Sequence, residues 1–225
     1  YQVMFFGAFI ATLVSLWHVT RVKPIYEVPP QKTAFFDRRI LQSPKMKHIF
    51  LMVLLTHIPF FIVYPLVPLQ LVEGLHAEES FIALFGLAEL IGGLCIASFA
   101  NQWMPRWGQR RVMAYAMAGT GIGVGIIAIA PTLWLTLPAA FMLGGSCVLV
   151  GIGIMGLLSE GIPAEDTLSY NRMFTQVIGL STFVGPIVGN ILMSSGLNLV
   201  TVLIIGALLR VVAGWFISLS PEQST

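Results

Sequence analysis

Charge is scarce in this sequence. Asp, Glu, Lys and Arg make up only 10% of its 225 residues, against 56% hydrophobic ones. A soluble domain carries about 25% charged residues, so this chain is not built for water. Cysteine is nearly missing as well. Cys95 and Cys147 both fall in apolar runs, which excludes a disulfide framework or metal-ligand spacing and reads as two small buried side chains. The net charge of +2 is too small to hold nucleic acid. There is no H-E-x-x-H, no G-x-S-x-G and no P-loop. No catalytic residue, cofactor site or metal site is therefore expected, and the chain does not read as an enzyme. Gly119, Gly121 and Gly123 have a dinucleotide-like spacing, but they lie inside an apolar run and not between a strand and a helix. No leader peptide is visible. The chain opens at Tyr1 in the middle of an apolar run, which reads as a truncated start.

What the sequence does have is apolar runs of bilayer length. A spanning helix needs about 20 mostly apolar residues. The first run, 1–20, has no Asp, Glu, Lys or Arg. A polar stretch, 21–48, follows with Pro24, Pro29, Pro30 and Pro44 as helix breakers. Inside it, 34–41 mixes apolar and basic residues as an interfacial helix would. The next spans are expected at 49–72 and 80–102, the latter interrupted only by Glu89. From 112 to 159 there is no charge at all. A single helix of that length would run about 72 Å, more than twice the bilayer core, so the run must fold back. Pro131, Thr132, Trp134 and Pro138 mark the reversal, giving spans at 112–130 and 135–158. A second long uncharged run, 173–209, folds back at 194–198, and the last span ends near Ser220 and Pro221. Seven spans result.

Threading these spans alternately through a membrane puts 21–48, 103–111, 159–172 and the C-terminus on one side. Every Lys and Arg except Arg210 lies in those segments, and the opposite loops carry none. This is the positive-inside pattern, so the basic side is expected to be cytoplasmic.

Six spans after a long basic stretch and one further helix resemble the second half of the major facilitator superfamily. That family joins two six-helix halves by a cytoplasmic linker. The resemblance covers the whole chain. It implies an all-α, polytopic transmembrane bundle: residues 1–20 as the end of the sixth helix, 21–48 as the linker, 49–220 as the six-helix C-terminal domain and 221–225 as a cytoplasmic tail. Two motifs carry it. The family's G-x-x-x-D-[RK]-x-G-R-[RK]-[RK] loop is matched between 101 and 111 by Arg106, Gly108, Arg110 and Arg111. Asn101, Pro105 and Gln109 depart from it, so a charge-relay role does not carry over. Gly185, Pro186 and Gly189 resemble the G-P-x-x-G-G signature of the family's antiporters. Asn190 stands in the last position, so an antiport direction does not carry over either.

Four polar residues inside the spans are the candidates for substrate or ion contact. Glu89 sits near mid-span, where a charge costs about 2.5–3.5 kcal/mol. Gly86, Gly93 and Ala97 share its face, so it is expected to look into the bundle, as a proton-coupling or cation-binding carboxyl or as a structural one. His57, at comparable depth among Pro59, Pro65 and Pro68, could pair with Glu89 or line a cavity, or simply hydrogen-bond within its helix. Gln176 and Asn190 lie on one helix face and either touch substrate or join helices. The many glycines of 144–156 and 179–189 suit close packing, sliding or both. Arg210 is expected to snorkel to the headgroups, with a role in the cavity as the alternative.

The reading is a secondary transporter of a small solute by alternating access, in a cell (inner) membrane, with proton-coupled efflux as one mode open to it. Its partners would be the lipid bilayer, the small-molecule substrate and an N-terminal half of the same polypeptide. Few polar residues line the expected cavity, which leans toward an amphipathic or apolar solute. The competing reading is a membrane receptor, scaffold or enzyme subunit that moves nothing.

Overall fold

The computed structural model describes residues 2–21, 42–161 and 167–219. The expected interfacial segment at 34–41, most of the 21–48 linker and the 221–225 tail lie outside them. Among the described residues every element is helical and no strand occurs. The chain divides into two units, 1–35 and 36–225. The first contains α1 (Gln2–Arg21), which closes with Thr20 Oγ1 donating to the Trp17 carbonyl at 2.8 Å and the Arg21 guanidinium 4.1 Å over the Trp17 ring.

The second unit holds α2 (Pro44–Val63), α3 (Leu66–Leu69) with a π turn at Gln70–Gly74, α4 (Glu79–Trp107), α5 (Gln109–Ile129), α6 (Leu133–Gly161), α7 (Thr167–Ser194) and α8 (Leu199–Leu219). Among the described residues six segments are long and apolar enough to cross a membrane: Met46–Gly74, Glu79–Trp107, Gln109–Ile129, Leu133–Leu158, Ser169–Ser194 and Leu199–Leu219. In hydrocarbon each backbone polar group must be paired within its own segment, so an apolar sequence of this length becomes helix by necessity.

The turns fall where the sequence breaks, with one exception. Residues 103–111, expected as a basic loop, are almost entirely helical: α4 continues through Trp103 to Trp107, and α5 starts at Gln109. Gly108 alone separates them, at φ 80°, a left-handed conformation open to glycine. Its N–H caps α4 at the Met104 carbonyl, and its own carbonyl accepts from Val112 N–H. Phe99, Trp103 and Trp107 stack along one face at 5.7 and 5.8 Å, which carries the helix past the end of the hydrophobic run. Between α7 and α8, Gly196 turns at φ 95° and Asn198 Oδ1 accepts from Thr201 N–H, capping α8.

Small residues set the helix pairs. A Cβ at Gly121 would lie 2.6 Å from the Ala207 carbonyl oxygen and one at Gly214 2.7 Å from that of Ala114, so α5 and α8 touch backbone to backbone. Gly92 faces Phe141 and Gly144 faces Glu89 in the same manner between α4 and α6. Gly185 and Gly189 seat α7 on α2 at Phe61 and Ile62.

The core is two apolar clusters stacked along the bundle. One contains Val53, Met113, Met117, Leu149, Ala213 and Ile217. The other contains Ile62, Val63, Val124, Leu143, Leu203 and Ala207. The gap between them falls at the same level on every helix that contributes: between Val53 and Ile62, Met117 and Val124, Leu143 and Leu149, Ala207 and Ala213.

Candidate functional site

Polar side chains fill that gap. Arg210 lies midway along α8, about 14 Å of helix rise from Leu219. It does not snorkel. The whole residue is 1% exposed, the largest of the fully buried side chains. Its Nε donates to Thr120 Oγ1 on α5 at 2.6 Å, and the Thr120 hydroxyl in turn donates a hydrogen bond to the Met117 carbonyl at 2.7 Å. Nη2 points at the Met117 sulfur at 3.9 Å. The ring of Phe60 on α2 covers the guanidinium with Cζ 4.8 Å from its centroid, a cation–π contact in a desolvated setting. Nη1 has no hydrogen-bond partner. Snorkelling fails because Thr120, Met117 and Phe60 enclose the guanidinium, and the two apolar clusters close both ends.

Glu89 is half-buried on α4, held in place where its backbone meets Gly144 of α6. The charge of Glu89 reaches Tyr64 on α2 and Cys147 on α6, and that of Arg210 reaches Cys147 and His57. Cys147 is thus within electrostatic reach of both. His57 is half-buried, and its Nδ1 donates to the Val53 carbonyl at 2.9 Å. Thr56 donates to the same carbonyl at 2.8 Å. Among the described residues His57 and Glu89 share no hydrogen bond; of the alternatives open to His57, the bond within its own helix is the one present, and the charge that reaches it is that of Arg210.

Gln176 is half-buried and Asn190 exposed on α7, away from the Arg210 contacts. Arg106 ends α4, and Arg110 and Arg111 open α5 on either side of the Gly108 turn. α2 breaks at Tyr64 and Pro65, where Pro59, Pro65 and Pro68 lead one to expect a kink, and the break falls at the residue that feels Glu89. Among the described glycines of α6 and α7, Gly151 and Gly179 have open space at Cβ. Gly151 lines a groove of about 650 Å³ with Val148, Ile152, Met155 and Gly156.

The sequence reading missed the Arg210 cluster. One signal was available: Arg210 is the only basic residue outside the basic segments, and Thr120 lies at matching depth in an uncharged run.

A polytopic helical bundle with a charged layer at mid-span and glycine-mediated helix crossings defines a multi-pass membrane protein. The family model described as Major Facilitator Superfamily matches residues 49–225, and the chain belongs to that superfamily. It is thus an integral, multi-pass membrane protein of a transporter family. No curated protein matches the chain.

Proposed function

We propose that this chain is the C-terminal half of a secondary transporter that moves a small solute by alternating access, with Glu89 as its coupling carboxyl. On this reading residues 49–220 form one six-helix domain, 1–20 end the sixth helix, 21–48 form the linker and 221–225 the tail. The linker and tail face the cytoplasm of a cell (inner) membrane. An N-terminal half of the same polypeptide covers the exposed faces of α4 and α7. Those two spans support the pairing. Only 22% and 17% of their apolar windows are buried, against 44–61% for the others, as expected of helices that meet a second half and a cavity.

The observation that carries the proposal is Glu89 itself. A mid-span carboxyl is tolerated where it faces the bundle interior and has work to do. Glu89 meets Gly144 of α6 through its backbone and lies within electrostatic reach of Tyr64, where α2 breaks. Movement of α2 at that break would open and close its access to water, which is what proton exchange on alternate sides requires. Efflux in exchange for protons fits this arrangement. The test is solute flux driven by an imposed pH gradient across proteoliposomes of the full-length protein. Glu89→Gln is expected to abolish it, and wild-type flux in that variant overturns the assignment.

A further inference from the structure

We propose that Arg210 is an anion-binding residue of the transport site, and that it takes the carboxylate of an organic monocarboxylate. This rests on the transporter reading and names its substrate class. The guanidinium has no carboxylate partner among the described residues. A buried charge without a counter-charge is a costly feature to keep in a bundle, and nothing in the packing requires it: α5 and α8 already lock through Gly121 and Gly214.

Geometry limits what can complete it. Nε and Nη2 are committed to Thr120 and Met117, and Phe60 takes one ring face, which leaves Nη1. One free donor nitrogen suits a carboxylate oxygen in a charge-assisted hydrogen bond. One free nitrogen meets one anionic group, so a monocarboxylate fits it better than a phosphate or a dicarboxylate. The approach is aromatic: Phe60 stacks on Tyr64 at 4.8 Å and meets Phe61 edge-on at 5.2 Å, and Tyr64 is exposed. A solute with an apolar or aromatic body would lie along this face of α2 with its carboxylate toward Nη1.

Benzoate is the probe. The thermal unfolding midpoint of the purified full-length protein is followed against sodium benzoate at constant ionic strength, with sodium chloride in parallel. The wild type is expected to show a saturable rise with benzoate and none with chloride. Arg210→Lys keeps a charge but loses the forked donors, and its half-saturating concentration should rise about tenfold or more. Thr120→Val, which frees the guanidinium from its fixed orientation, should weaken binding in the same direction. The proposal is overturned by no saturable shift in the wild type, by an unchanged response in both variants, or by an equal response to chloride, which would mark a simple inorganic counter-ion. Failure here leaves pH-driven flux of other solutes intact; loss of that flux would instead remove the transporter reading beneath it.

Discussion

Replacing Gly144 by Ala should damage this protein, whereas the same change at Gly151, two turns along the same helix, should not. A Cβ at Gly144 would lie 2.6 Å from the carbonyl carbon and 2.8 Å from the Cα of Glu89, and would overlap its oxygen, where ordinary contact begins at 3.4 Å. The obstacle is backbone, so no rotamer change relieves it and α4 must back away. Overpacking of this kind costs about 1–3 kcal/mol. The gain in helix propensity from Gly to Ala, about 1 kcal/mol, applies equally to both sites and cancels from their difference. At Gly151 a Cβ meets nothing within 4 Å. Gly144→Ala should therefore be the less stable variant by about 1–3 kcal/mol. It should also lose pH-driven flux, because the helix that moves carries Glu89. Apparent melting midpoints of the two full-length variants, measured side by side, check the stability claim. If Gly144→Ala melts at or above Gly151→Ala, the close α4–α6 crossing is wrong, and with it the argument for where Glu89 is held.

The same reasoning applies at the α2–α7 crossing. Gly189→Ala would place a Cβ 2.7 Å from the Ile62 carbonyl oxygen, while Gly179→Ala meets open space; the first should lower the melting midpoint and the second raise it slightly through helix propensity. Thr120→Val removes the acceptor of Arg210 Nε, leaving a buried donor unpaired, and should destabilise by about 1–3 kcal/mol in the absence of ligand. Phe60→Leu keeps the apolar cover but removes the cation–π contact, and a loss of about 0.5–2 kcal/mol in unfolding experiments is expected.

Much of the fold was legible in the sequence because lipid leaves a chain few options. Uncharged runs of bilayer length have to be helices, and the reversals at 131–134 and 194–198 appeared where Pro, Ser, Gly and Asn interrupt them. What hydropathy could not see is contact. The stacked Phe99, Trp103 and Trp107 extend α4 beyond the point where its polarity suggested an end. The break at Tyr64 and Pro65 and the π turn at Gln70–Gly74 replace the simple kinked helix that three prolines suggested. Glu89 announced itself as a lone mid-span charge. Arg210 did not, because an arginine on the C-terminal side of mid-span has an ordinary explanation in snorkelling. Its partner Thr120 lies 90 residues away, and only the packing of α5 against α8 brings the two together. Gln176 and Asn190, by contrast, looked alike as polar residues on one face, yet one is half-buried and the other exposed.

Alternating access is the centre of this account, and reciprocal accessibility tests it most directly. Single cysteines would be placed in the full-length, otherwise cysteine-free protein at Met155, exposed in the groove of α6, and at Val72, exposed in the π turn of α2's continuation. Alkylation rates would then be measured in membrane vesicles at pH 6 and pH 8. The account predicts that the two rates change in opposite directions between the two pH values, as one end of the cavity closes while the other opens. Rates that stay fixed, or that rise and fall together, would contradict it.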